Sequence, residues 1–301
     1  MQLLLGFLLA LIIAFLAYKA RSLSKSGAAA ATLTGAVIFG VGGWQWAVLL
    51  LTFFITSSGL SRAFKKRKQG LDEKFSKGHE RDAGQVFGNG GVATIFAALH
   101  FFLPASPLPW LGFAAALAAV NADTWATELG VLNPHPPRMI TNLTKPVEKG
   151  TSGGISLVGT LAALAGAGVI GILAALLDPQ VASYGLQVAS YGLQVTSYGL
   201  QVTSYSLIAN PEQSITNYQL LITTALAGLS GSLFDSLLGG TVQAMYFCPK
   251  DHKETEKHPL HTCGAETVHI RGWKWLGNDW VNFACGACGA LIAFVMLYLI
   301  L

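Results

Sequence analysis

Eight apolar stretches alternate with short polar connections along the chain, at about 2–18, 28–42, 44–62, 87–103, 109–128, 154–177, 218–243 and 281–301. Each approaches the ~17–25 residues that a helix needs to cross the hydrocarbon of a bilayer, so each predicts a membrane-spanning helix. The second and third meet at Gly42-Gly43-Trp44, a break that either separates two helices or kinks one long span. The pattern therefore predicts an all-α polytopic bundle of about eight transmembrane helices, within a range of six to eight, as a single domain over residues 1–301. The first run, Leu3 to Tyr18, lacks a basic leader and is followed at once by Lys19, Arg21 and Lys25, which marks a retained helix instead of a signal peptide.

Composition agrees: 52% of residues are hydrophobic, 11% are charged, and the mean hydropathy is +0.51. Charge then sets the orientation. With both termini outside, four connections face inward, at 19–26, 62–86, 129–153 and 244–280, and they hold all 19 Lys and Arg residues. This segregation follows the positive-inside rule. It also accounts for the net charge of +4 as juxtamembrane, and excludes nucleic acid as the partner. The outward connection 178–217 contains four near-identical heptapeptides over residues 180–207, beginning QVASYGL, which read as a tolerated insertion. Cys285 and Cys288, beside Gly286 and Gly289, fall in the last span and read as small packing residues.

Three acids lie inside apolar runs: Asp123, Glu128 and Asp235. An ionisable group in a span costs on the order of 2.5–3.5 kcal/mol, so each needs water or a partner and is a functional candidate. Thr124 and Glu128 share a helix face, with Asp123 beside it. Two carboxylates and a hydroxyl, completed by Asp235 from another helix, suit Mg²⁺ together with phosphate oxygens. Downstream, KPVEKGTSGGIS over residues 145–156 leads into a helix. Gly150, Gly153 and Gly154 let backbone approach an anion, Thr151, Ser152 and Ser156 offer hydroxyls, and Arg138, Lys145 and Lys149 offer charge. It is not a Walker A loop.

The inward connection 244–280 gathers Cys248, His252, His258, His261 and Cys263. Cys248, His252, His261 and Cys263 have the composition of a structural Zn²⁺ site in a small insert; the other reading is a solvated loop with incidental histidines.

Three motifs, NADTWATELG at 121–130, KPVEKGTSGGISLVG at 145–159 and RDAGQVFGNGG at 81–91, resemble the membrane family numbered 92 among the domains of unknown function, which includes phytyl-phosphate kinases and proteins like transmembrane protein 19. The likeness extends to Arg271-Gly-Trp and to Asn278, Asp279 and Asn282. It implies a Mg²⁺-dependent kinase that converts an isoprenoid (phytyl) monophosphate to the diphosphate with ATP or CTP, feeding tocopherol synthesis. It adds Asn89, Asn121, Asn278 and Asp279 to the residues expected around substrate. Plasma membrane or thylakoid is the implied location. A CDP-lipid-forming cytidylyltransferase and a small-solute or ion transporter are the alternatives.

Overall fold

The computed structural model describes residues 1–64, 80–179 and 215–300. The heptapeptide insertion and the basic residues Lys65, Lys66, Arg67, Lys68, Lys74 and Lys77 lie outside them. Among the described residues are eight α-helices: α1 (Gln2–Lys19), α2 (Lys25–Val37), α3 (Trp44–Ala63), α4 (Ala83–Phe102), α5 (Leu108–Gly130), α6 (Leu157–Leu176), α7 (Asn217–Thr241) and α8 (Asn278–Ile300). Two small sheets sit between helices. Strands β1 (Arg138–Met139), β2 (Asn142–Pro146) and β3 (Gly154–Ile155) run in the order β2-β1-β3, and β4 (Met245–Cys248), β5 (Lys253–Thr255) and β6 (Val268–Arg271) in the order β5-β4-β6. The chain is thus a polytopic helical membrane protein. Helices α1, α3, α6, α7 and α8 are each long and apolar enough to cross a bilayer; α4 and α5 have the length without that apolarity, and α2 is only 13 residues.

The Gly42-Gly43 break separates two helices. Residues Ile38–Gly42 form a π-helical turn that extends α2, and Gly43 has φ +91°, a left-handed conformation that ends it. Three helix starts differ from the apolar pattern for local reasons. Ser24 caps α2 through Gly27 N–H, so the helix takes in the polar Lys25 and Ser26. Asp82 and Gln85 form a capping box that starts α4 at Ala83. Helix α6 starts at Leu157 and not at 154, because Gly154 and Ile155 pair with β1 and Ser156 is the cap.

Helix α5 is the axis of the bundle. It touches α3, α4, α6, α7 and α8, and Pro109 through Ala122 are buried without a break. Its composition permits this: Ala114, Ala115, Ala116, Ala118, Ala119 and Ala122 keep the helix thin, so neighbours approach closely. Helix α7 approaches closely: a Cβ added at Gly231 would lie 2.5 Å from the Ala119 side chain and 2.8 Å from the Cys285 carbonyl oxygen. At one end Trp46 packs against His100, Trp110 and Phe113, with ring centroids 4.6–5.1 Å apart, and the Trp110 indole donates to the Ala174 carbonyl. That end is closed. At the other end all four basic connections meet. There, Leu23 and Arg81 form a β-bridge and the Arg271 guanidinium donates to the Gly239 carbonyl. Gly27 lies so near the Arg81 carbonyl oxygen that any side chain would strike it.

Replacing Gly231 by Leu should overpack the α5–α7 contact by at least ~1–3 kcal/mol and lower the thermal unfolding temperature in detergent. Gly168→Ala in α6, where an added Cβ meets nothing within 4 Å, should leave that temperature unchanged or raise it.

Candidate functional site

The basic end of the bundle encloses a cavity of ≈ 480 Å³. Its floor is made by the last turns of α5 and α7. Asp123 and Glu128 come from α5 and Asp235 from α7, and all three line the space. The Asp235 carboxylate faces the negative charges of Asp123 and Glu256, and its Oδ2 is buried without a hydrogen-bond partner among the described residues. Such an atom loses water without gaining a donor, an arrangement that a bound cation relieves. Glu128 is buried and accepts a 2.6 Å hydrogen bond from the Ser61 hydroxyl of α3. Thr124 lines the cavity and donates from Oγ1 back to the Val120 carbonyl of its own helix.

One wall is the 150–156 turn. Gly150 and Gly153 have φ of +78° and +86°, and Gly153 is wedged against Gly240 of α7, whose Cα any added Cβ would strike. The turn therefore requires glycine at Gly153 on two counts. Thr151, Ser152, Gly154 and Ser156 also line the cavity. The Ser152 hydroxyl donates to Gln243 Oε1 at 3.0 Å. Ser156 accepts from Gly159 N–H as the cap of α6, which leaves the positive end of that helix against the cavity. Lys149 lines it too, its ammonium held by the carbonyls of Val131 and Asn133 at 3.0 and 2.7 Å.

The opposite wall comes from the N-terminal third of the chain. Arg81 donates to the Ser58 and Ser57 hydroxyls at 2.9 and 3.0 Å, lies against the Phe53 and Phe54 rings, and faces Glu128. Burial pushes its pKa down to about 10 while the Glu128 charge acts the other way, so it remains cationic near neutrality. Arg62 donates to the Ala20 carbonyl at 2.6 Å and to Ser22. Sequence reasoning left Arg62, Arg81, Ser58 and Ser61 out of the site. The available signal was the hydroxyl series Ser57, Ser58 and Ser61 at the end of an apolar run, followed by a basic connection.

Several expectations are corrected. Asn121 does not line the cavity: it is fully buried, donating to the Gly166 carbonyl at 2.8 Å and accepting from Thr56 at 3.2 Å, so it joins α3, α5 and α6. Arg138 and Lys145 are exposed outside it, because the β1–β2 hairpin carries them away; Arg138 donates to the Leu143 carbonyl of that hairpin. Asp279 faces a neighbouring groove beside Gly88, whereas Asn89 and Asn278 do line the cavity. In the 244–280 connection, Cys248, His261 and Cys263 come together with Asp251 and not with His252. His252 has φ +51°, and its ring is turned toward Phe247 at 6.3 Å.

An apolar groove between α1, α2, α3 and α4, of ≈ 180 Å³, shares Arg81, Gln85 and Asn89 with the polar cavity. The rest of its lining is almost wholly apolar, from Leu9 and Ile13 of α1 to Leu50 and Phe54 of α3. A polar chamber and an apolar slot thus adjoin across these three residues.

Comparison with known proteins adds the lineage. The chain is 33% identical over 287 residues to Protein PGR of Arabidopsis thaliana, covering 90% of this chain and 88% of that one. It is 33% identical over 180 residues to an uncharacterized membrane protein of Methanocaldococcus jannaschii, covering 58% and 71%. It is 26% identical over 285 residues to Protein VTE6, chloroplastic, of Arabidopsis thaliana, covering 93% and 66%. No solved structure matches. The family model of the integral membrane protein DUF92 matches residues 8–290, and the chain belongs to that family.

Proposed function

We propose that the chain is a membrane-embedded phosphotransferase that converts an isoprenoid monophosphate, phytyl phosphate or a relative, to its diphosphate at the expense of a nucleoside triphosphate. The observation that carries this reading is the junction at Arg81, Gln85 and Asn89, where the polar cavity meets the apolar groove. A monophosphate with a long apolar tail fits that junction: its tail lies in the groove among apolar side chains and its head group in the cavity. Phosphoryl transfer asks little covalent chemistry of a protein. It asks for alignment of two phosphates and for compensation of their charge.

The residues divide between these tasks. Arg81 and Arg62 on one wall suit the acceptor phosphate next to the groove. The positive end of α6, the 150–154 backbone and Lys149 suit the donor's phosphates on the other. Asp123, Asp235 and Glu128 offer only oxygen ligands, and the Oδ2 of Asp235 is buried without a hydrogen-bond partner among the described residues, so these residues fit Mg²⁺. Bound there, Mg²⁺ would neutralise phosphate charge between the two walls. Ser61 orients Glu128. The aromatic plug around Trp46, at the end of the bundle away from the cavity, favours an enzyme over a transport path.

Purified in detergent with Mg²⁺, the chain should convert phytyl phosphate to phytyl diphosphate and release a nucleoside diphosphate from ATP or CTP. Asp123→Asn should lower turnover by ~10²-fold or more, the scale for losing an electrostatic partner of the transition state. Full turnover in that variant would remove the assignment of Asp123, and pyrophosphate as product would indicate a cytidylyltransferase.

Ala31→Phe, on the groove wall, should raise KM for phytyl phosphate by roughly 10-fold or more while leaving KM for a five-carbon isoprenyl phosphate unchanged, since a blocked apolar slot discriminates by chain length. Parallel steady-state kinetics on the two acceptors test this; equal effects on both would place the tail elsewhere.

A further inference from the structure

The connection between α7 and α8 brings together a second cluster of side chains, independent of the phosphotransferase reading. It is built from two tight turns whose tips face each other. The first joins β4 to β5: Cys248 ends β4, and the turn 249–252 folds back so that the Asp251 N–H lies 3.4 Å from Cys248 Sγ. The left-handed φ of His252 closes this turn, directing the Asp251 carboxylate inward and the His252 ring away. The second turn spans 261–265. His261 N–H donates to the Ala265 carbonyl and Gly264 N–H to the His261 carbonyl, with Gly264 at φ +81°. It presents His261 and Cys263 toward the first.

Four ligand atoms result, all within 4.8 Å of one another. Cys248 Sγ and Cys263 Sγ are 3.5 Å apart, His261 Nδ1 is 3.4 Å from Cys263 Sγ, and the same nitrogen is 2.9 Å from Asp251 Oδ2. Zinc bonds of ~2.3 Å to sulfur and ~2.0–2.1 Å to nitrogen and oxygen, at tetrahedral angles, require edges of about 3.8 Å for S···S, about 3.5 Å for N···S and about 3.3 Å for N···O. These three separations fall about 0.1–0.4 Å inside the corresponding tetrahedral edges, so a slight outward movement of the side chains admits the ion. Cys248 and His261 are buried, which protects the centre, and the Asp251 N–H directed at the Cys248 sulfur is the kind of outer hydrogen bond that stabilises a metal thiolate.

We infer that Cys248, Asp251, His261 and Cys263 form a closed, structural Zn²⁺ site. Two sulfurs, one imidazole and one carboxylate are a donor set for zinc and unsuited to Mg²⁺ or Ca²⁺. The connection also needs a staple. Its buried apolar side chains, Ala244, Met245, Tyr246 and Leu276, cluster at its ends near the helices, and the part between them has little core of its own. The consequence reaches the cavity. Strand β5 leads directly to Glu256, which lines the cavity and accepts from Gln243 Nε2 at 2.9 Å, while Gln243 in turn accepts from Ser152 of the glycine turn. The metal therefore fixes the far end of a hairpin whose near end positions the rim of the cavity.

The test is the zinc content of the full chain, purified in detergent without chelators and measured by inductively coupled plasma mass spectrometry. About one zinc per chain is expected in the wild type and in His252→Ala, and less than about a tenth of that in Cys263→Ser and His261→Ala. His261→Cys, which keeps a ligand at that position, should retain zinc, separating loss of a ligand from loss of the fold. Co²⁺ supplied in place of zinc should give the visible absorption of a tetrahedral thiolate complex in the wild type and not in Cys263→Ser. A wild-type chain without zinc, whose Cys248 and Cys263 react with alkylating reagent only after reduction, would overturn the inference in favour of a disulfide. Zinc lost in His252→Ala but kept in His261→Ala would overturn the ligand assignment.

Discussion

A carboxylate on a membrane helix must be walled off from lipid, and the shielding of α5 by five neighbouring helices is the constraint on which this architecture rests. The alanines of α5 let α3, α4, α6, α7 and α8 surround it, so its polar C-terminal turns face protein and an internal chamber. Because α5 meets little or no lipid along its buried stretch, it needs no strongly apolar composition, which is why it falls below the hydropathy of a typical span. The glycines of α7 serve the same end: without close approach at Gly231, Asp235 would not reach the chamber that holds Asp123.

Charge then organises the basic end. Acids rise from the floor while cations arrive from connections, and each cation is itself positioned by protein groups: Arg81 by Ser57 and Ser58, Arg62 by Ala20 and Ser22, Lys149 by two carbonyls at the end of α5. Fixed in this way, they lose less freedom when an anion binds, which is the advantage of a preorganised site. The bridge between Leu23 and Arg81, with Gly27 against the Arg81 carbonyl, locks the N-terminal helices onto this wall. The apolar groove exists because α1 and α2 pack there, so under the proposed function the first two helices would hold the substrate's tail as well as anchor the chain.

Much of this was legible in the sequence, because lipid imposes length and hydropathy rules that act residue by residue. The eight apolar runs became eight helices among the described residues, and the basic connections converged at one end. Asp123, Glu128, Asp235 and the 150–156 turn, which the structure brings to one cavity, stood out because acids in a span and clustered glycines are locally anomalous. Arg81 and Arg62 were not anticipated there because their place beside the acids depends on α3 and α4 folding across them from a distance of tens of residues. Arg138 and Lys145 stay outside the cavity, since a short hairpin turns them outward and nothing in their spacing announces it. The exchange of Asp251 for His252 turned on a single left-handed residue.

Two centres with different tasks emerge. In the reading proposed above, the Cys248 cluster holds a connection in place, and the carboxylate cavity accepts a hard cation with phosphate. Binding of Mn²⁺ as a surrogate for Mg²⁺, followed by electron paramagnetic resonance with a non-hydrolysable nucleoside triphosphate present, tests the second and central claim most directly. About one Mn²⁺ per chain, strongly weakened by Asp235→Asn, is the predicted result. Mn²⁺ bound as tightly to that variant as to the wild type would contradict a metal site at the junction of α5 and α7.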